Sequence, residues 1–132
     1  MVKTEIDIQI RFADVDRLGH VNNVNVQHYF DLGKSDYYEK VLELHHVDGR
    51  GTGVITAATE TSYLAQIRPD DKIFVETWAE KAGNKSMVLF QRILSREDGK
   101  LCCESRSVMV GFDFCNQVTI PIEEEWRRKM GL

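Results

Sequence analysis

The chain has 132 residues, 42% of them hydrophobic and 29% charged, which suits one soluble domain with a real core. Its 17 basic and 21 acidic residues leave a net charge of −4, and this excludes nonspecific nucleic-acid binding, which needs a basic surface. No apolar run approaches the ~20 residues of a membrane helix, and the N-terminus carries Glu5 and Asp7 where a signal peptide would be apolar, so no membrane association is expected. The cysteines Cys102, Cys103 and Cys115 are odd in number and lack metal-ligand spacing, so free thiols in a reducing, cytoplasmic compartment are expected.

Residues 2–12 alternate, with Ile6, Ile8, Ile10 and Phe12 on one side and Asp7, Gln9 and Arg11 on the other, the pattern of a half-buried strand. Residues 13–23 form a polar, acidic loop containing Gly19. From Asn25 to Leu44 the period becomes helical: Val26, Tyr29, Phe30, Gly33, Tyr37, Val41 and Leu44 fall at three- and four-residue steps. Such a helix is about 30 Å long, and Asn22, Asn23 and Asn25 are all able to cap it. Gly33 on the apolar stripe lowers helix propensity, and a close approach by a sheet would account for it.

His45–Gly53 is expected as a loop, residues 54–67 as a strand and Arg68–Asp71 as a turn. Strands follow at about 72–82, 85–95 and 100–114, joined at Gly83-Asn84 and Glu97-Asp98-Gly99 as antiparallel hairpins. A short helix starts at Pro121, with Glu123, Glu124 and Glu125 in its first turn and Arg127, Arg128 and Lys129 in its last. The order predicts an α+β design in which a five-stranded antiparallel meander wraps one face of the long helix. Its open edges invite a second subunit.

The chemistry concentrates in Arg11–Asn23. A polar loop feeding a helix N-terminus places a carboxylate beside unpaired backbone N–H groups. Asp14-x-Asp16-x-x-Gly19 imitates the start of a calcium loop, but position five is Leu18 where Asp or Asn is needed, position twelve is Asn25 where Glu is needed, and no helix precedes the loop, so calcium is rejected. Zinc from His20 and His28, or from His45 and His46, lacks further ligands at supporting spacings, and no metal or other cofactor is expected.

The run Arg11-Phe12-x-Asp14-x-Asp16-x-x-Gly19-His20-Val21-Asn22-Asn23, followed by Tyr29-Phe30-Asp31, resembles hot-dog-fold acyl-CoA thioesterases of the 4-hydroxybenzoyl-CoA thioesterase type. Strand order and Tyr63…Ile67-x-Pro69-x-Asp71 extend the resemblance over nearly the whole chain. It implies a hot-dog fold, hydrolysis of thioesters of coenzyme A or of acyl carrier protein, homodimers or homotetramers with sites between subunits, and no metal. The catalytic carboxylate would correspond to Asp16, and the oxyanion donor to the backbone N–H of Asn23. Two positions depart from the family: Val26 stands where a tyrosine is frequent, and Lys34 where an arginine is.

Thioester hydrolysis needs a carboxylate that attacks the carbonyl or activates water, and donors that meet the developing oxyanion. Asp16 can supply the first as nucleophile or general base, and the helix start the second. Asp14 suits a role in ordering the loop through backbone N–H groups. His20 and Asn22 are candidate substrate contacts whose simpler roles are a structural hydrogen bond and a helix cap. The resemblance places the strand that carries Thr59 and Thr61 beside the partner subunit's site. Lys85 with Ser86, and Arg68, are candidate contacts for the phosphates of coenzyme A; plain surface charge is the simpler reading of each. Two other functions compete: a noncatalytic hot-dog module that binds acyl-CoA, and a dehydratase on the same fold, which this loop fits poorly.

Overall fold

The computed structural model describes residues 1–44 and 51–132. The expected His45-His46 pair and most of the expected loop that follows lie outside the described residues. Strands β1 (Lys3–Ile8), β2 (Thr52–Tyr63), β3 (Ile73–Ala82), β4 (Ser86–Ser95), β5 (Leu101–Asp113) and β6 (Val118–Thr119) form one antiparallel sheet. Helices α1 (Asn23–Lys40) and α2 (Glu124–Met130) complete the chain. The α+β arrangement is the expected one, with a sixth, two-residue strand added on β5. No described helix is long and apolar enough to cross a membrane.

Topology departs from a simple meander. The order across the sheet is β1-β3-β4-β5-β2, so β3, β4 and β5 are hairpin neighbours, while β2 pairs with β5 at the far edge. Local patterning identifies β2 as a strand; its partner depends on a long-range contact that no turn signal encodes. Residues 55–60 of β2 are exposed throughout. The strand also stops at Tyr63, and residues 64–67 leave the ladder. At the N-terminus β1 ends at Ile8, and Phe12, expected on the buried side, is 99% exposed at the start of a single 3-10 turn, Phe12–Asp14. The alternation runs past the strand because the Arg11 N–H bonds to the Asp14 side chain and not to a neighbouring strand.

Helix α1 has 18 residues, about 27 Å, and starts two residues earlier than its apolar period. Of the three candidate caps Asn22 performs the role, its Oδ1 accepting from Val24 N at 2.8 Å. At the other end of the chain Glu123 is the N-cap of α2, and Pro121 lies outside it.

Two apolar clusters hold α1 on the sheet. Tyr29, Phe30 and Val26 pack with Ile8, Ile73, Val75 and Ile93, while Tyr37 packs with Leu89, Met109 and Trp126 of α2. Between them a polar row crosses the sheet at one register: Thr77 opposite Gln91, Gln91 opposite Ser105, Ser105 opposite Thr61. Gln91 Nε2 donates to Phe30 O at 2.9 Å and to Thr77 Oγ1 at 3.0 Å, tying the helix backbone to the strands.

Gly33 sits where helix and sheet come closest. A Cβ there would lie 2.6 Å from Val75 Cγ1, 2.8 Å from Gln91 Nε2 and 3.1 Å from Thr77 Oγ1. Gly33→Ala would gain about 1 kcal/mol of helix propensity but overpack a closed contact, which costs about 1–3 kcal/mol. We expect a net loss of up to about 2 kcal/mol in urea unfolding. A midpoint at or above that of the parent protein would show that the contact yields.

Candidate active site

The loop before α1 is held by one buried carboxylate. Asp14 is fully buried. Its Oδ2 accepts from Arg11 N at 3.0 Å and from the Tyr29 hydroxyl at 2.6 Å, and its Oδ1 accepts from Arg11 Nε and Nη2 at 3.1 and 2.8 Å. Its backbone carbonyl accepts from Asn22 N at 2.9 Å and Asn25 Nδ2 at 3.2 Å. Burial alone would push this carboxyl up; the hydrogen bonds from Arg11 and Tyr29, together with the guanidinium charge, outweigh it and hold the carboxyl at about 2. The same contact, after burial itself, pushes the Tyr29 phenol up.

The tight turn that follows presents Asp16. Asp16 N donates to His20 O at 3.1 Å, Gly19 N donates to Asp16 O at 3.0 Å, and Val15 bridges Val21. Gly19 closes the turn at φ +86°, a conformation that disfavours a side chain. The Asp16 carboxylate accepts from Leu18 N at 2.9 Å and from Asn22 Nδ2 at 3.4 Å. Asn22 therefore uses both ends of its amide, one on the helix and one on Asp16. Val24 N is taken by the Asn22 side chain, and Asn25 N and Val26 N both donate to Asn22 O. Asn23 N–H has no hydrogen-bond acceptor among the described residues, as the helix start leaves it.

Asp16, His20 and Asn23 line one wall of a trough of about 420 Å³. The opposite wall is Tyr63–Ile67, the segment that leaves β2, and the floor includes Val21, Val26 and Cys103. The Val21 N–H donates to Ile67 O at 2.8 Å, and Leu64 N and Ala65 N both donate to Cys102 O, so loop, segment and β5 are tied together. The opposite wall and Cys103 were not foreseen as site residues: the segment reads as more strand, and the adjacent Cys102-Cys103 pair carries no pocket signal.

The other candidates lie elsewhere within the chain. Thr61 Oγ1 accepts from Gln27 Nε2 at 2.9 Å and lies 3.1 Å from Ser105 Oγ, and Thr59 pairs with Ser107 at 3.2 Å. Arg68 follows the trough wall directly, its N–H held by Asp71 Oδ2 at 2.8 Å. Lys85 and Ser86 stand at the β3–β4 hairpin; Ser86 pairs with Val110, about 23 Å along β5 from Cys103. Lys34, a residue 6% exposed, brings its ammonium to 3.4 Å from Thr56 Oγ1, and burial lowers its affinity for the proton. Among the described residues no three His, Cys, Asp or Glu side chains group as metal ligands would.

Comparison with known proteins gives a consistent picture. A family model described as a thioesterase-like superfamily matches residues 10–130. A predicted thioesterase from Bacillus stearothermophilus is 26% identical and superposes with a TM-score of 0.85, over 98% of this chain and 95% of that one. A thioesterase from Thermus thermophilus, solved with coenzyme A and zinc, is 24% identical with a TM-score of 0.84, over 96% and 90%. A mutant 4-hydroxybenzoyl-CoA thioesterase complexed with 4-hydroxybenzoyl-CoA is 18% identical with a TM-score of 0.84, over 97% and 98%. The fold is the hot-dog arrangement.

The Asp14 contacts carry a pH signature. Its folded-state value of about 2 lies below the ordinary 3.8, so the stabilisation is complete above about pH 4 and disappears as pH falls toward 2. Asp14→Asn should lower the urea midpoint at neutral pH and flatten the pH dependence in that window relative to the parent protein. Equal slopes in the two proteins would remove Asp14 from the acid response.

Proposed function

The chain belongs to the thioesterase-like superfamily, and on that premise we propose that it hydrolyses acyl-CoA thioesters to the free acid and coenzyme A. The observation that carries this reading is one shared opening: Asp16 and Asn23, whose backbone N–H has no acceptor among the described residues, line the same trough. Two of the similar structures contain coenzyme A or an acyl-CoA, which supports the choice of carrier.

In this reading the thioester carbonyl oxygen accepts from Asn23 N–H, and the helix dipole favours the charge that develops there. Asp16 then acts in one of two ways. As nucleophile it forms an O–C bond while the C–S bond breaks; coenzyme A leaves as the thiolate, and water cleaves the resulting anhydride. As general base it takes a proton from an attacking water and returns it to the leaving thiolate. Asn22 fixes the carboxylate through its Nδ2 and the helix start through its Oδ1, so it is a positioning residue. His20, on the same wall, contacts the substrate. Asp16→Asn should lower kcat by about 10²–10⁴ while the protein still binds coenzyme A. Activity near the parent value would remove Asp16 from the chemistry, and binding of acyl-CoA without turnover by the parent protein would favour a noncatalytic module.

The site is assigned to a homodimer or a homotetramer of domains spanning residues 1–132. Supporting this, the twelve-residue β2 is an edge strand among the described residues and stays exposed through residues 55–60. Thr59 and Thr61 on that strand would then face the partner's substrate, and Arg68, Lys85 and Ser86 the phosphates of coenzyme A. The three free cysteines suit the cytoplasm. Light scattering should give twice or four times the chain mass, and a proline at Thr59, in that edge strand, should shift it toward the monomer. A monomeric parent protein would exclude the shared site.

A further inference from the structure

Resting on the thioesterase reading above, we propose that the trough is the acyl pocket, that it takes uncharged apolar acyl chains, and that Cys103 and Val26 set the longest chain it accepts. Asp16 borders two hollows. The second, of about 380 Å³, lies against Ile10, Arg11, Phe12, Val15 and Pro69, and of these only Ile10 packs on the first apolar cluster. They differ in what lies beneath. Val21, Val26, Ile67 and Cys103 in the trough are at most 6% exposed and belong to the first apolar cluster. The second hollow is rimmed by Phe12, which is fully open to water. An apolar chain sheds its own hydration best against a continuous apolar lining, and more apolar residues line the trough than the second hollow, so the acyl group goes to the trough and the thiol carrier to the other side of Asp16.

Among the described residues the trough lining holds no lysine or arginine, and its one basic side chain is His20. An acyl group ending in a carboxylate would meet the Asp16 carboxylate with no lysine or arginine beside it, which argues for an uncharged tail. Cys103 closes the floor from β5, opposite Tyr63 in register, and Val26 closes it from the first turns of α1. Burial pushes the Cys103 thiol up to about 12, so it stays protonated near neutral pH and acts as a small apolar wall, not as a nucleophile. A larger side chain at either position would shorten the pocket. In the parent protein each methylene added to the acyl chain is worth about fourfold in kcat/KM until the floor is reached.

The test is a straight-chain series from acetyl- to palmitoyl-CoA, read as kcat/KM, together with calorimetric binding of the matching nonhydrolysable acyl-CoA thioethers. Cys103→Leu should lower the ratio of the best long chain to acetyl by at least about tenfold, and Cys103→Ala should move the optimum to longer chains. Val26→Phe blocks the same space from the helix and serves if Cys103→Leu does not fold. Butyryl-CoA should be preferred to succinyl-CoA. Turnover with a chain-length profile indifferent to folded Cys103 and Val26 variants, or a preference for succinyl-CoA, overturns this inference and leaves the thioesterase reading standing. Thioether affinity that climbs with length and shifts with Cys103, without any turnover, upholds the pocket and overturns the thioesterase reading. Neither binding nor turnover overturns both.

Discussion

Everything at the candidate site depends on the buried Asp14 carboxylate. Four donors from Arg11 and Tyr29 converge on its two oxygens, and two more amides, from Asn22 and Asn25, reach its carbonyl. Hydrogen bonds to a charged group contribute about 1.5–3 kcal/mol each when both partners stay in place. Removing a partner costs more than a bond, because a buried charge is then left uncompensated. Tyr29 comes from α1 and Arg11 from the chain that leaves β1, so this residue fixes the loop to the helix it feeds. Asp16, two residues on, inherits its position. The Asn22 amide finishes the alignment by touching carboxylate and helix start together.

The helix itself must sit at a defined height, and Gly33 sets it. With no Cβ, α1 descends until its backbone meets Val75, Thr77 and Gln91. The polar row at that level would be a liability in a core without partners. Here Gln91 donates to the Phe30 carbonyl and to Thr77, and the row leads out through Ser105 to Thr61 and Gln27. Apolar clusters on either side of the row bury both halves of the helix. For the site, this contact sets the height of α1 above the sheet, and with it the place of Asn23 and Val26 in the trough lining.

The second consequence is an asymmetry of the sheet. One end of β5 supports the trough at Cys103, and the other supports the β3–β4 hairpin with Lys85 and Ser86. A ligand that touches both ends in one chain would have to be long. The edge strand β2 offers another route, in which a second subunit brings its own surfaces close. Oligomerisation would then add to a trough whose Asp16 wall is already built within one chain.

Local sequence determined much of this. Period-two and period-3.6 patterns located the strands and the long helix, because side-chain spacing on an element is a local property. The loop motif singled out Asp16, Asn22 and Asn23, and the anomalous glycine announced the close helix–sheet contact. Only the tertiary structure decided where β2 pairs, since that choice lies between β3 next to it in sequence and β5 beyond two intervening strands, and local patterning is the same for both. It decided that Phe12 faces water, because Arg11 N–H found a side-chain acceptor and left the strand. It chose Asn22 among three possible caps. It also placed Tyr63–Ile67 and Cys103 opposite Asp16. A cavity is made by residues far apart in sequence, and no periodicity within a single element can encode it.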